Sequence, residues 1–284
     1  MPELAYVNGV FGPIGEACVS IEDRGFQFAD GVYEVIVAYA GRLFRLERHL
    51  ARLQRSCDAL QIKYEVVASG IGDMIREGLR RSDIPEAMVY VQVTRGAGPR
   101  SHLYADGLRP TVVATVRPRP VLPPQVRQSG VGIKITTDPR WAHCDIKSIA
   151  LLPNVLAKNE AVRAGFDDAL FIGSDGEVRE ATTANFFMVQ DGQLVTPPLS
   201  NRILHGVTRA YILECARAID IPAHERRIER QELDHASEIF LSNTTSEIIP
   251  VTRVEHAAVG NGQCGPITQR LHARFQAGIK LELS

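Results

Sequence analysis

The chain has 284 residues, 45% of them hydrophobic and 23% charged, with 32 Lys and Arg against 33 Asp and Glu for a net charge of -1. That length suits two domains or one large one, and a near-neutral mixture of charges argues against nucleic acid, which selects for a basic face. The longest apolar runs fall far short of the ~20 residues that a membrane span needs, and the opening MPELAYVNGV has neither a basic region nor a long apolar core, so no signal peptide is expected.

In chain order, LAYVNGVFG reads as a hairpin turning at Asn8-Gly9, a dipeptide suited to positive backbone angles. Val32–Ala40 and Arg42–Leu46 read as strands. Residues 47–60 place Leu50, Leu53, Cys57 and Leu60 on one helical face, and 67–82 continue as a second helix. Strands are expected over Ala87–Thr94 and Thr111–Val116, joined by RGAGPRSHLYADGLRP. Residues 117–125, RPRPVLPPQ, hold four prolines and no periodic pattern, and mark a linker. The expected domains are therefore 1–120, a small α/β unit, and 121–284, a larger one. In the second half, strands are expected at Gly130–Thr136, Ala169–Ile172, Phe186–Val189, Gln193–Thr196, Glu238–Leu241 and Glu247–Val254. Helices are expected at 149–165, Val207–Ile219 and Ile267–Gly278. Sheet and helix in both halves imply an α+β class.

Several motifs carry little. Gly260, Gly262 and Gly265 spell G-x-G-x-x-G, but a dinucleotide loop needs an acidic residue ~20 positions onward, and Pro266 suits a plain turn and helix start. Asn243-Thr244-Thr245 matches a glycosylation acceptor without a secretion signal. Eight histidines show no metal-binding spacing, so no metal is expected. Cys18, Cys57, Cys144, Cys215 and Cys264 are odd in number and scattered, which fits a reduced cytoplasm better than a disulfide framework. With five lysines against 27 arginines, chemistry that needs a lysine must choose among Lys63, Lys134, Lys147, Lys158 and Lys280.

Six stretches read differently: EDRGFQFADGVYEV (22–35), TRGAGPRSHLY (94–104), CDIKSIALLPNVLAKNEA (144–161), EVREATTANFF (177–187), ILHGVTR (203–209) and LSNTTSEIIPV (241–251). In register over nearly the whole chain, they resemble fold-type IV pyridoxal-phosphate enzymes, and most closely the D-amino acid aminotransferases. The resemblance implies a two-domain α+β homodimer with pyridoxal 5'-phosphate between the domains, exchanging amino groups in the cytoplasm between D-amino acids, such as D-alanine and D-glutamate, and 2-oxo acids, such as pyruvate and 2-oxoglutarate.

It also implies roles. Lys147 of CDIKS forms the Schiff base, which requires an amine that burial can keep unprotonated. Glu180 faces the pyridine nitrogen and keeps it protonated. Arg52 grips the phosphate with a planar fork, helped by the Gly206-Val207-Thr208 helix entry and by the hydroxyls of Thr208 and Thr244. Leu204 packs on the ring face. Tyr33, Arg100 and His102 trap the substrate carboxylate, with the loop bearing Arg100 and His102 reaching across the dimer. Taken alone, Arg48, Arg52 and Arg55 look like the wet face of a helix, and a Glu at a strand end is ordinarily solvent-facing. Ala181-Thr182-Thr183-Ala184, where relatives tend to carry a glycine and serines, and Asn243, where a serine is common, depart from the pattern. Relatives on the same fold leave alternatives: branched-chain L-amino acid transamination, (R)-amine transamination or an aminodeoxychorismate lyase. A non-catalytic binder is a reading from another class, opposed by the intact Lys147 and Glu180.

Overall fold

The structure, a computed structural model, describes residues 3–283. The chain divides into two compact units. The first runs through Pro120 and takes back Ile146–Ala150, and the second holds Val121–Asp145 and the chain from Leu151 onward.

The first unit carries strands β1 (Leu4–Val7) and β2 (Val10–Pro13), the short helix α1 (Arg24–Phe28), strands β3 (Gly31–Tyr39) and β4 (Arg42–Leu43), helices α2 (Leu46–Ala59) and α3 (Ile71–Ser82), and strands β5 (Ala87–Thr94) and β6 (Thr111–Pro118). The six strands form one sheet in the order β2-β1-β6-β5-β3-β4. Asn8 and Gly9 turn the first hairpin with φ of 46° and 105°, the geometry that a tight two-residue turn demands. The strand expected over Arg42–Leu46 is cut to two residues. Arg45 takes a left-handed φ of 53° and sends the chain into α2 at Leu46. Period-2 alternation turns Val32, Glu34, Ile36 and Ala38 of β3 inward, where the apolar members meet Leu50, Leu53 and Cys57 of α2 and Val89 and Val91 of β5. Helix α3 starts at Ile71, after Gly70 at φ 73°, later than the apolar periodicity suggests.

The second unit contains α4 (Pro124–Ser129), β7 (Val131–Thr137), α5 (Leu152–Arg163), β8 (Asp168–Ile172), β9 (Val178–Ala181), β10 (Asn185–Gln190), β11 (Gln193–Thr196), α6 (Val207–Ala218), β12 (Ala223–Glu225), β13 (Glu238–Asn243), β14 (Glu247–Val254), β15 (Ala257–Ala258) and α7 (Pro266–Glu282). The proline-rich stretch is shorter than its composition implies, because β6 runs on to Pro118 and α4 begins at Pro124. Strands β10-β13-β14-β7-β8-β9 are neighbours in that order, and β9 pairs back onto β10 through Glu180 opposite Asn185. The sheet thus closes on itself, which removes the exposed edges of those strands. Ile133, Leu170, Phe186, Met188, Leu241 and Val251 belong to its core. Every residue of β8 and β9 is buried, so these strands lack the alternation of a half-exposed sheet. Gly260 and Gly262 adopt φ of 55° and 75° in the turn before α7, which starts at Pro266. No helix among the described residues is long and apolar enough to cross a membrane.

Candidate active site

In the first unit, the returning segment Ile146–Ala150 lies along β3. Tyr33 N–H donates to the Lys147 carbonyl (2.9 Å), Ile149 N–H donates to the Gly31 carbonyl (3.1 Å), and Val32 and Ser148 form a β-bridge. Lys147 N–H donates to Ser56 Oγ of α2 at 3.2 Å. Backbone bonds therefore fix Lys147, while its half-buried Nζ sits 4.1 Å from the centre of the Tyr33 ring. Such a cation over an aromatic face gains modest attraction and keeps a flexible side chain localised. Tyr33 stacks on Tyr90 at 5.5 Å, and the Tyr90 hydroxyl donates to Gln92 Oε1 at 2.7 Å.

Arg52 is only 3% exposed, whereas Arg48 and Arg55 on the same helix are exposed. Its fork meets fully buried Glu34, with Nε to Oε1 at 2.7 Å and Nη2 to Oε2 at 2.8 Å, and His49 Nδ1 lies 2.8 Å from Oε2. Burial would raise the Glu34 pKa, but Arg52 and then His49 overcome it and hold the carboxyl well below the usual carboxylate range. Burial, aided by the charges of Arg52 and Lys147, depresses His49 against the pull of Glu34. Removing one member of a buried ion pair strands the other, at about 3–5 kcal/mol. Glu34→Ala is therefore expected to lose about that much stability in urea unfolding, and a loss below about 1 kcal/mol would refute the coupling. Because the folded pKa of Glu34 lies below its unfolded value near 4.5, this stabilisation is full at neutral pH and fades as pH falls below that value.

Arg100 and His102 are exposed on the β5–β6 connection. Both gather on Phe28 of α1: the Arg100 guanidinium is 4.8 Å from the ring centre and the His102 ring meets it edge-on at 5.8 Å.

In the second unit, Glu180 sits at the seam where β9 meets β10. It is 5% exposed and accepts from Arg140 Nη1 (2.6 Å), Asn185 Nδ2 (2.9 Å) and the Leu204 N–H (3.1 Å to both oxygens). Arg140 is itself clamped by Asp138, with Nε to Oδ1 and Nη2 to Oδ2 both at 2.9 Å, and lies 4.4 Å from the Phe171 ring centre. Burial raises the Glu180 pKa, and Arg140 and the Leu204 amide oppose that rise. Asn185 also donates to the Leu204 carbonyl at 2.8 Å, so one amide fixes both Glu180 and Leu204. A Cβ on Gly206 would stand 2.0 Å from Asn185 Oδ1, so this approach to α6 requires glycine. Val207 and buried Thr208 open α6, where the first amides have no acceptor within the helix. Thr244 lies in the β13–β14 turn, where Asn243 Oδ1 accepts from the Ser246 N–H (2.8 Å) and the Thr245 hydroxyl (3.2 Å) and Glu247 takes φ 64°. The hydroxyl of Thr182 donates to Asp168 Oδ1 at 2.5 Å, while Thr183 is exposed.

A family model, Amino-transferase class IV, matches residues 31–254. The chain belongs to the class IV aminotransferases. The D-alanine aminotransferase of Bacillus licheniformis is 37% identical over 275 residues, covering 97% of this chain and 96% of its own. A branched-chain amino acid aminotransferase of Escherichia coli superposes with a TM-score of 0.88 at 25% identity, over 97% of this chain and 94% of that one. The 4-amino-4-deoxychorismate lyase of Pseudomonas aeruginosa gives 0.84 at 29%, over 96% and 98%.

The residues expected from sequence fall into three sets, each within one unit of this aminotransferase. Lys147, Tyr33 and Arg52 surround β3; Arg100 and His102 share Phe28; Glu180, Leu204, Val207, Thr208 and Thr244 belong to the closed sheet and its connections. Sequence reasoning missed Glu34, His49, Arg140, Asp138 and Asn185. Glu34 was findable, since alternation in VYEVIVA puts a carboxylate on the apolar face, and an i, i+3 pair of His49 and Arg52 sits beside Leu50 and Leu53. Arg140 and Asp138 lie in a loop with no periodic signal.

Proposed function

We propose that this enzyme moves amino groups between D-amino acids and 2-oxo acids, with pyridoxal 5'-phosphate bonded to Lys147. The observation that carries the reading is the near full-length similarity to a D-alanine aminotransferase. When bound, the cofactor supplies an electron-poor ring that accepts the electron pair left as the substrate α-carbon loses its proton. The chain's own residues fit such a group. Lys147 Nζ has no hydrogen bond or ion pair among the described residues, its neighbour being the Tyr33 ring. Glu180 is a buried carboxylate with fixed donors. The α6 entry offers amides and a helix dipole to phosphate oxygens.

Within this reading, Lys147 holds and moves the proton at Nζ. Glu180 would accept from the ring nitrogen, and Arg140 opposes the upward push that burial exerts on the Glu180 pKa. Arg52, Val207, Thr208 and Thr244 would bind the phosphate, and Glu34 fixes the plane of the Arg52 fork. Leu204 would cover one ring face. Tyr33, Arg100 and His102 take the substrate carboxylate, and the charge-assisted contact to Arg100 sets its orientation. With the carboxylate held on one side, only one enantiomer turns its C–H bond toward Lys147. The working assembly is a homodimer in which the Arg100 loop serves the second copy. This reading places the enzyme in the cytoplasm, where a reducing pool would keep its five cysteines from pairing.

A second reading, branched-chain L-amino acid transamination or lyase chemistry, is favoured by the likeness to structures of those enzymes, because one fold hosts several chemistries. A donor panel with pyruvate and 2-oxoglutarate separates them. D-alanine and D-glutamate are expected to lead. Higher turnover of L-leucine or L-valine than of every D-amino acid would overturn the D reading.

A further inference from the structure

The loop that carries Arg100 and His102 is mostly exposed, yet its main chain is tied to a buried arginine. Arg24 of α1 is 4% exposed. Its Nη1 donates to the Ser101 carbonyl at 2.6 Å, and Nη2 lies 3.5 Å from the His102 carbonyl. Its Nε donates to Asp30 Oδ2 at 2.8 Å, and its guanidinium lies 4.7 Å from the centre of the Phe28 ring that also meets Arg100 and His102. Asp30 is in turn forked by Arg95, with Nε to Oδ2 at 2.7 Å and Nη2 to Oδ1 at 2.9 Å. Arg95 reaches the Leu60 and Gln61 carbonyls and lies 3.8 Å from the centre of the Tyr104 ring, further along the loop. Asp23 caps α1 through Gly25 N–H and accepts from the Thr94 hydroxyl at the end of β5, so the base of Arg24 is fixed as well.

Burying a guanidinium is costly unless its donors are satisfied. Here two of its N–H groups point to loop carbonyls, so the arginine is satisfied only while the loop keeps this path. We propose that Arg24 is a positioning residue for the substrate carboxylate: it holds the main chain at Ser101 and His102 so that the Arg100 and His102 side chains are presented together. The proposal rests on the reading of Arg100 and His102 as the carboxylate site. It adds that the site is preset by a group that never touches substrate, leaving only the two exposed side chains to adjust, which lowers the ordering cost of binding. Glu22, Asp23 and Gly96 reinforce the same path, since Gly98 N–H donates to the Glu22 carbonyl, Arg24 N–H to the Gly96 carbonyl, and Asp23 bridges to Ala97.

The test uses the holoenzyme and two variants. Arg24→Met removes the fork, and Arg24→Lys keeps a cation for Asp30 but cannot reach both loop carbonyls in the same geometry. Hydrogen exchange of the Gly98 amide, which donates to the Glu22 carbonyl at the root of the loop, is expected to quicken about tenfold or more in both, with β3 and β5 unchanged, as loss of the charged hydrogen bonds that hold the loop path implies. On the same scale, KM for D-alanine should rise about 10–100-fold while kcat stays within about threefold. Unchanged loop exchange in either variant, or equal quickening throughout the unit, would overturn the proposal. So would quickened exchange with an unaltered KM, provided Arg100→Ala does raise KM. If Arg100→Ala also leaves KM unaltered, the carboxylate reading itself has failed.

Discussion

Lys147→Ala is expected to lower transamination of D-alanine by at least about 10⁴-fold, the upper range for losing a positioned acid–base group, while the protein keeps its fold. In the proposed function two separate demands fall on one amine: it would bond the cofactor, and it would move the proton at the reacting carbon. The main chain does not depend on that amine. The Lys147 carbonyl still accepts from Tyr33 N–H, and the Lys147 N–H still reaches Ser56. Unfolding by urea should therefore shift little, and a small added amine such as methylamine should restore part of the turnover. Borohydride treatment of the parent holoenzyme followed by peptide mass analysis should place the label on Lys147. Label on Lys134 or Lys158 would remove the assignment, and both of those already have acidic partners, Lys134 with Glu160 and Lys158 with Asp168.

The second large effect concerns Glu180. Glu180→Gln should reduce kcat by about 10²–10³-fold, the loss typical of removing one preorganised electrostatic partner, with smaller change in cofactor retention. The amide keeps the shape of the carboxylate but not the charge that, in the proposed function, a protonated ring nitrogen would require. Arg140→Met tests the support behind it. Glu180 is already pushed upward by burial, and Arg140 is the main group opposing that push. Without the guanidinium the carboxyl takes up its proton at higher pH, so the acid limb of the kcat profile should move upward, and activity lost at neutral pH should return in part as pH rises. A profile that falls uniformly at all pH values would assign Arg140 a purely structural role.

Much of the fold was legible because its signals are local. The turn at Asn8-Gly9, the full span of Ala87–Thr94 and the run Glu247–Val254 follow from turn chemistry and β-rich composition. Strand β9 was not, because Arg179 and Glu180 interrupt its apolar character although all four residues are buried. Their burial is made possible by partners outside the strand: Asp175 and Glu177 for Arg179, Arg140 for Glu180. Helix α1 has five residues and depends on the Asp23 cap rather than on periodicity. At the site, motif resemblance pointed to Lys147 and Glu180, but the groups that hold side chains in place escaped, since Asp138 and Arg140 announce themselves only once a loop has folded back. Arg52 shows the same limit from the other side. Its spacing with Arg48 and Arg55 suggests a wet helix face, and only a carboxylate inside a neighbouring strand draws it inward.

The return of Ile146–Ala150 to the first unit has a consequence for how the molecule can be taken apart. The chain passes from one unit to the other at 120/121, 145/146 and 150/151, so no single cut separates them. A fragment ending at Pro120 would carry β3 without the segment that bridges it and without Lys147, and its complement would carry the lysine on a five-residue loop stripped of its hydrogen-bonding template. Gene fusions, split-protein designs and swaps between relatives that treat Pro120 as the natural joint would therefore divide the lysine from the strand that orients it. The workable exchange moves residues 1–120 together with 146–150, as a discontinuous graft.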